Sequence, residues 1–446
     1  MYIISKDKVR LHMNKKGINT QKELAEHMSI SKNQLSMLLS THFNPIKSSA
    51  LKLCEALGTN LEEIIEYVQT EMPVDGTEPF ENKEQNEQIN VEAYKGQGFV
   101  EVREIKALKE YSCVELFAGA GGLALGLEKA GFHTKGLVEI DKLACQTLRK
   151  NRPNWNIIEK DIIQVVDDGI ISYINISKGE LDLLSGGYPC QAFSYAGKKM
   201  GLADARGTMF HYYSQVLKQL MPKMFLAENV RGLVSHDGGR TLSLMLKVFS
   251  EIGYSVKWHL LRALDYGVAQ KRERIAIVGI RNDLVDKFNL IYSFPEPYGY
   301  ELTLRDVLKD VPKSDGEKYP ESKRKVLELV PPGGYWRDLP EDIARAFMGK
   351  SYYSGGGRTG MARRMSWDEP SLTLTCSPAQ KQTERCHPDE TRPFTVREYA
   401  RIQSFPDTWE FDCSTSNAYK QIGNAVPVHM AKAIGLSIVN TLNHMI

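Results

Sequence analysis

From Tyr111 onward the chain alternates apolar runs with glycine-rich loops and helical segments, and this alternation restricts the possible folds most strongly. The first unit has an apolar run at 114–117, a tight glycine turn at 118–122 and a helical pattern at 123–130. Such alternation predicts an α/β domain. In open sheets of this kind, ligands bind beyond the carboxyl ends of the strands. We therefore examine the residues that follow each predicted strand.

The first two units carry features of a nucleotide-like binding site. The glycines permit close approach of a ligand, which the start of the next helix would face. A second predicted strand, 136–141, contains Glu139, which can hold ribose hydroxyls. Asp161 ends a third predicted strand and could accept from an adenine amino group. By itself the pattern fits a nicotinamide cofactor and S-adenosylmethionine equally well.

A possible nucleophile follows the apolar run 181–184. The segment 186–194 reads GGYPCQAFS and places Cys190 in an exposed loop. A thiol with a pKa of about 8.5 is only slightly ionised at neutral pH and needs a nearby positive charge or dipole to react. Taken alone, Cys190 could equally be an ordinary loop cysteine.

Charged residues also mark two later strands. Glu228 stands at the carboxyl end of a predicted strand, 225–230. Arg272 and Arg274 precede the strand 275–280, and their alternate spacing predicts that both point to the same face. A solvated carboxylate and a salt-bridged strand edge are the alternatives that these residues leave open.

Composition excludes several classes of protein. The seven cysteines include no Cys-x-x-Cys pair, which predicts neither a disulfide framework nor a zinc site and favours a reducing cytoplasm. Cys386, His387 and Asp389 lack partners at metal-binding spacing, so we predict no metal. No signal peptide or membrane-length apolar run is present in the sequence, so we expect no membrane association. The net charge of +2 requires any nucleic-acid surface to be local.

Residues 1–70 show helical periodicity throughout and predict an all-α unit. Thr20 and Glu23 form a capping-box signal, and 21–40 resembles the helix-turn-helix of Cro/repressor-like domains. That resemblance implies that a helix opening at Lys32 enters the major groove, although a protein–protein module would share the periodicity. The implied DNA-facing residues are Lys32, Asn33, Gln34 and Ser36. The polar composition of 71–100 predicts a flexible linker.

The alternation is lost at 282–392, where glycine-rich loops carry basic residues. Such loops suit phosphates and base edges, and a solvated basic face is the alternative. The candidates are Arg358, Arg363 and Arg364. In the tail, 393–446, we expect Asn424 to start the last helix from a Gly-Asn turn.

The order of the motifs resembles that of the C5-cytosine DNA methyltransferases, across 111–281 and 392–446. The motifs are FAGAGG (117–122), VEID (138–141), KDI (160–162), GGYPCQAFS (186–194), ENV (228–230), QKRER (270–274), RPFTVREYARIQSFPD (392–407) and QIGNAVP (421–427). Each motif is modest, but the ordered set is specific. The family implies a doubly wound S-adenosylmethionine-dependent methyltransferase fold with a mixed, mostly parallel sheet. It also implies a catalytic domain at 111–281, a loop-rich target-recognition domain at 282–392, and a return to the catalytic domain at 393–446.

The resemblance also assigns roles. Cys190 would attack C6 of a cytosine flipped out of duplex DNA, Glu228 would act at N3, and Arg272 and Arg274 would hold the base and the active-site loop. The loop from Gln191 to Gly201 would close over DNA, with Ser194 near a phosphate. S-adenosyl-L-methionine would supply the methyl group for C5. Its implied contacts are Phe117, Gly119, Gly121, Gly122, Glu139, Asp161 and Asn424.

The resulting hypothesis is a DNA-modification enzyme that protects duplex DNA from a cognate restriction endonuclease, with residues 1–70 binding its own promoter. A tRNA cytosine methyltransferase, or a repressor with a vestigial catalytic body, are the alternatives. Two departures from the family, Ala269 and Ile140, affect only the surroundings of the site. The segment 375–395 resembles enzymes that act on GG…CC sites. Absence of Asp-Pro-Pro-Tyr and Asn-Pro-Pro-Tyr argues against amino methylation.

Overall fold

A computed structural model describes residues 2–18, 20–28, 35, 53–67, 91–189, 208–353 and 360–446. The chain divides into two compact units, residues 1–86 and 87–446. We describe each unit by itself.

In the N-terminal unit, short helices surround a small apolar core. Its elements are β1 (Tyr2–Ile4), α1 (Lys6–Lys15), α2 (Gln21–His27), a helical stretch at 53–57, α3 (Leu61–Ile64) and β2 (Ile65–Tyr67). Thr20 and Glu23 form the predicted capping box at the start of α2. Leu24, Ala25 and Leu35 are buried as their spacing predicts, whereas Leu11 is exposed.

The prediction that this unit is entirely helical is wrong at its ends. Strands β1 and β2 pair in antiparallel fashion, with Ile3 opposite Glu66. Three residues per strand give too short a pattern for period-2 alternation to be distinguished from the adjoining helices.

The second unit is built on a seven-stranded sheet in the order β6-β5-β4-β7-β8-β11-β9. Strands β4 to β8 are parallel, and β11 runs antiparallel to both β8 and β9. This confirms the predicted mixed, mostly parallel sheet. The strands of the unit are β3 (Phe99–Val100), β4 (Tyr111–Leu116), β5 (Phe132–Glu139), β6 (Ile157–Glu159), β7 (Leu183–Gly186), β8 (Met224–Val230), β9 (Tyr254–Arg262), β10 (Gln270–Lys271), β11 (Glu273–Arg281), β12 (Phe294–Pro295) and β13 (Ser371–Leu372).

Helices cover both faces of this sheet. They are α4 (Gly122–Ala130), α5 (Lys142–Asn151), α6 (Ile162–Asp168), α7 (Met209–Leu220), α8 (Gly232–Ser235), α9 (Arg240–Ile252), α10 (Asn282–Phe288), α11 (Leu304–Val307), α12 (Glu321–Glu328), α13 (Glu341–Met348), α14 (Val396–Ile402), α15 (Thr415–Asn424) and α16 (Val428–Asn443). Short 3₁₀ turns lie at Val91–Tyr94, Ile170–Tyr173, His236–Gly239, Ala263–Tyr266, Trp336–Asp338 and Gly349–Tyr353. One face of the sheet packs on α7 and α9, and the opposite face packs on α4 and α16.

Two predicted boundaries move. Residues 91–100 belong to the catalytic unit and not to the linker, since Gly96 N donates to Trp258 O over 2.9 Å and β3 pairs with β12. Tyr292 and Phe294 also pack in the core beneath the sheet, so the catalytic body extends past residue 281. Both segments gain their partners from distant parts of the chain, which local composition does not reveal.

The rest of the expected recognition region is less irregular than its glycine content predicts. Helices α12 and α13 share an apolar core of their own, which includes Leu327, Trp336 and Met348. The region therefore has its own folded centre from which loops project.

The C-terminal helices return to the catalytic body. The stretch Thr415–Asn443 is apolar and long enough to cross a membrane by length and composition, but 78% of its most apolar window is buried inside the protein. Helix α16 uses this surface to pack on α4. The prediction that Asn424 starts the last helix is wrong. Asn424 ends α15, and Pro427 is the residue that caps α16.

Gly126 provides a test of this packing. A Cβ at Gly126 would lie 2.4 Å from Ala431 Cβ and 2.7 Å from Val428 O, so α4 and α16 approach too closely for a side chain. Gly126→Ala should therefore lower the free energy of unfolding by about 1–3 kcal/mol. Urea unfolding of the full chain measures this. Lys129→Ala, on the exposed face of the same helix, should leave the midpoint nearly unchanged, and equal effects of the two variants would contradict the packing.

Candidate active site

The strand order changes direction between β4 and β7. The chain runs outward from β4 to β5 and β6, and then returns to β7 on the other side of β4. Ligands of open α/β sheets bind at such a switch point, beyond the carboxyl ends of the strands. Here the glycine turn follows β4 and the Gly187-Tyr188-Pro189 segment follows β7, so the two motifs leave the sheet side by side.

The glycine turn is held by Glu139. The Glu139 carboxylate accepts from Gly119 N over 2.7 Å, from Ile140 N over 2.8 Å and from Asp141 N over 2.7 Å. A carboxylate offers about four lone-pair sites, so it retains capacity for a further donor such as a ribose hydroxyl. Glu139 thus shapes the glycine turn and lies, like that turn, at the carboxyl end of the strands.

The surroundings of the turn fit a nucleoside-bearing cofactor. Gly119 has a φ of +55°, and no heavy atom lies within 4 Å of the position a Cβ would take, so the backbone is open to a ligand. Ile140 is 62% and Ile163 is 38% exposed, and both follow strand ends at this edge. Exposed aliphatic groups beside a polar turn provide an apolar surface for a flat base. Phe117, with a φ of 59°, enters the turn directly after β4.

The remaining cofactor candidates meet at this edge. A Cβ at Gly121 would lie 3.0 Å from the Trp409 ring, and a Cβ at Gly122 would lie 2.3 Å from Val426 O. Ala425 and Val426 approach Gly122, and Asn424 is the residue before them at the end of α15. Asp161 caps α6 by accepting from Ile163 N over 2.9 Å. Glu139 and the glycine turn are in direct contact, and Asp161 follows the next strand at the same end of the sheet.

On the other side of the switch point, Glu228 faces the start of the loop that bears Cys190. A Cβ at Gly187 would lie 2.7 Å from Glu228 Oε2, so only glycine leaves this carboxylate its place. Asn229 Nδ2 donates to Tyr188 O over 2.9 Å and fixes the same segment. Cys190, Gln191 and Ser194 themselves lie outside the described residues.

Burial and a charged partner act in opposite directions on Glu228. The residue is 7% exposed, and burial raises the pKa of its carboxyl, although the nearby Arg274 and Arg272 lower it. Arg274 Nε lies 2.8 Å from Glu228 Oε1, so the two groups form a close ion pair. A raised pKa increases the fraction of Glu228 that holds a proton at neutral pH, and this suits a group that must donate one.

Arg272 has a different environment from Arg274. It is 1% exposed and donates to Leu374 O over 3.2 Å and to Gly423 O over 2.9 Å. Burial lowers the pKa of Arg272 to about 9, and the positive charge of Arg274 acts in the same direction. The structure therefore gives Arg272 a positioning role beside Glu228, while Arg274 contacts the carboxylate directly.

The sequence reasoning missed two glutamines in this network. Gln270 Nε2 donates to Gln403 Oε1 over 2.5 Å, and Gln403 Nε2 donates to Ala425 O over 2.5 Å. Gln270 Oε1 accepts from Leu374 N over 3.0 Å. Both residues are fully buried, and their positions inside the motifs QKRER and RPFTVREYARIQSFPD were the available signal.

The predicted DNA contacts need one correction. Arg364 is 4% exposed, and its guanidinium donates to carbonyl oxygens of Val330, Leu327 and His387. It holds the recognition region together and is not available to DNA in this structure. Arg363 is also largely covered, with 13% of its side chain exposed and Glu369 3.8 Å away. Lys32, Asn33, Gln34, Ser36 and Arg358 lie outside the described residues.

His387 is likewise used internally. Its Nδ1 accepts from Asp389 N over 3.3 Å and from Glu390 N over 3.1 Å, so the ring closes a turn. Within the part of the chain that the structure describes, no group of three or more His, Cys, Asp or Glu residues could hold a metal ion.

Comparison with known proteins agrees with this arrangement. Residues 111–440 match the C-5 cytosine-specific DNA methylase family, and residues 8–70 match the Cro/C1-type helix-turn-helix DNA-binding domain. The chain is 54% identical over 440 residues to the Type II methyltransferase M.Sau96I of Staphylococcus aureus, covering 99% of each chain. It is 58% identical over 341 residues to the Type II methyltransferase M.Eco47II of Escherichia coli, covering 75% of this chain and 80% of that one.

A solved structure shares the fold. The Dnmt2 methyltransferase of S. pombe superposes with a TM-score of 0.52 at 18% identity, covering 75% of this chain and 99% of the other. Together with the ordered strand ends, these matches show that the chain belongs to the C-5 cytosine-specific DNA methylase family, as a Type II methyltransferase with a Cro/C1-type helix-turn-helix domain.

Proposed function

We propose that this enzyme transfers a methyl group from S-adenosyl-L-methionine to C5 of a cytosine flipped out of a specific duplex DNA sequence. The observation that carries the proposal is the convergence, at one switch point, of the Glu139-braced glycine turn and the buried Glu228–Arg274 pair. The first suits a nucleoside-bearing methyl donor and the second suits a pyrimidine ring. The bound cofactor would supply an electrophilic methyl group.

Glu139 would bind the ribose hydroxyls, and Asp161 the adenine amino group. Phe117 and the exposed side chain of Ile140 would contact the base, and Gly119 would leave room for the rest of the ligand. Gly121, Gly122 and Asn424 would complete the wall. Because Glu139 already accepts three backbone N–H groups, the site is shaped before any ligand arrives.

In the proposed reaction, the thiolate of Cys190 adds to C6 and breaks the 5,6-double bond. Protonated Glu228 donates to N3, which accepts the electron density displaced by the addition. The nucleophilic C5 would then take the methyl group of the bound sulfonium cofactor, which would leave as its thioether. A base would remove the C5 proton, β-elimination would release Cys190 as the thiolate, and N3 would return its proton to Glu228. Arg274 would orient Glu228 and hold O2 of the base, and Arg272 would keep Arg274's strand in place.

Protection of host DNA from a cognate restriction endonuclease is the proposed biological role, in the bacterial cytoplasm. The match to Type II methyltransferases over nearly the whole chain supports it. A tRNA substrate would leave the helix-turn-helix domain without a purpose, and a vestigial body would not retain the buried Glu228–Arg274 arrangement.

Replacement of the nucleophile tests the reaction. Cys190→Ala should abolish transfer of labelled methyl groups to C5 of cytosine in duplex DNA, because no covalent addition to C6 can occur. Binding of S-adenosylmethionine, measured by calorimetry, should persist because the glycine turn is separate from the Cys190 loop. Cys413→Ala, which changes a partly exposed cysteine after Asp412, should retain activity. Methyl transfer by Cys190→Ala at the rate of the unmodified enzyme would refute the mechanism.

Glu228 makes the pH dependence diagnostic. If the acid form is required, the fall of kcat/KM on the alkaline side follows loss of the Glu228 proton, at a pKa raised by burial. Glu228→Gln should lower kcat by about 10²–10⁴-fold and remove that alkaline fall, while the acid limb set by Cys190 remains. Glu251→Gln, on the exposed part of α9, is the matched control. An unchanged pH profile in Glu228→Gln would exclude Glu228 as the acid.

We also propose that residues 1–70 bind the promoter of the enzyme's own operon. The Cro/C1-type match and the capped α2 support a helix-turn-helix that positions Lys32, Asn33, Gln34 and Ser36 in a major groove. Footprinting with the full chain should show a protected site upstream of the coding sequence. Lys32→Ala with Gln34→Ala should remove this protection and leave methylation intact. No protection across a range of salt concentrations would contradict the proposal.

A further inference from the structure

Three arginines of the recognition region are used for its own stability. Arg364 and Arg385 are each 4% exposed and donate to backbone carbonyls, while Arg392 pairs with Glu390 and Glu398. A guanidinium committed in this way cannot reach a base edge without breaking the fold. These three arginines are therefore unavailable for sequence readout, which is left to other, exposed side chains.

A closed loop, residues 376–382, offers such side chains. Its two ends meet where the Thr375 and Thr383 hydroxyls hydrogen-bond over 3.2 Å. Within it, Thr383 N donates to Gln380 O over 3.1 Å and Arg385 N donates to Pro378 O over 2.9 Å. The buried Arg385 also donates to Thr373 O over 2.5 Å, just before the loop. These hydrogen bonds join the loop to the residues on either side of it and restrict its conformation.

The loop begins at the active site. Leu374 O accepts from Arg272, and Cys376 Sγ lies 3.2 Å from Asn424 Oδ1. Lys381 is five residues beyond Cys376, so their Cα atoms are at most about 18 Å apart. This upper limit equals roughly five base steps at about 3.4 Å each. Lys381 therefore stays close to the Cys376 end of the loop, on the scale of the base pairs that would flank the modified cytosine.

Three consecutive residues in the loop, Gln380, Lys381 and Gln382, are exposed. Lys381 Nζ donates to Phe347 O over 2.7 Å, and its ammonium carries three donors, so donors remain for another acceptor. Gln380 Oε1 accepts from the Thr383 hydroxyl over 3.2 Å, which orients its amide. In the major groove, lysine pairs with O6 and N7 of guanine, and glutamine pairs with N6 and N7 of adenine.

From this placement, we propose that the loop 376–382 reads the target sequence in the major groove and that Lys381 selects a guanine near the methylated cytosine. Gln380 and Gln382 contact the adjacent base pairs. The inference rests on the proposed DNA methylation and adds the residues that choose its sequence.

The test is methyl transfer by the full-length enzyme to a library of duplexes in which each base pair around the modified cytosine is varied. Lys381→Gln should reduce kcat/KM on the preferred sequence by about 5- to 150-fold and weaken the preference at one guanine position. Other positions should keep their preference. Gln382→Ala should relax a different, neighbouring position.

Lys287→Gln is the matched control, because it makes the same change at an exposed lysine of α10. Helix α10 follows the end of β11, which pairs with the start of β8 and so lies at the opposite end of the sheet from Glu228. It should alter neither rate nor preference. Thermal unfolding of each variant should match the unmodified protein, since Lys381, Gln382 and Lys287 are exposed.

Two results would overturn the inference. A uniform loss on every sequence by Lys381→Gln, with the salt slope reduced by about 1, would make Lys381 a phosphate contact. Unchanged preferences in both loop variants would place readout elsewhere. Failure of the proposed function is distinguishable, because the unmodified enzyme would then methylate no duplex in the library.

Discussion

The buried guanidinium of Arg272 joins three parts of the chain that are far apart in sequence. It lies between β10 and β11 and donates to Leu374 O beyond β13 and to Gly423 O at the end of α15. An ionised side chain that is 1% exposed is costly unless its donors are satisfied, and breaking such a contact leaves a buried charge. The two carbonyls that accept from the terminal nitrogens of Arg272 link the catalytic sheet, the recognition region and the C-terminal motif, while Arg272 Nε has no hydrogen-bond partner among the described residues.

Near Arg272, three glutamates lie on neighbouring parts of the sheet. They are Glu115 on β4, Glu139 on β5 and Glu228 on β8, and the charges of the last two act on Glu115. Burial raises the pKa of Glu115 well above its usual range, and the charges of Glu139 and Glu228 act in the same direction. Glu228 differs because Arg274 opposes the effect of burial. One fold thus creates distinct environments for the same functional group, and of these three acids Glu228 is the one that combines burial with a contact to a cation near the end of its strand.

Arginine serves two purposes in the second unit, and burial separates them. Arg274 contacts a carboxylate in the site, whereas Arg364 and Arg385 saturate carbonyl oxygens inside the recognition region. Guanidinium groups that bridge several carbonyls thus add to the region's small apolar core in ordering its loops. The exposed loop 376–382 gains its rigidity from this internal use of Arg385.

The sequence by itself determined the α/β class, the order of the motifs and the residue types at the site. Glycines after β4, an acid near the end of β5 and Glu228 near the end of β8 are local features, and their positions on strands follow from short-range periodicity. The capping box at Thr20 and Glu23 was predictable for the same reason. Only the tertiary structure decided which arginines face the site, that Gln270 and Gln403 pair, and that residues 91–100 and Phe294 belong to the catalytic body. These outcomes depend on contacts between segments that are distant in sequence, from about 20 to nearly 200 residues apart, and neither composition nor periodicity carries information about such contacts.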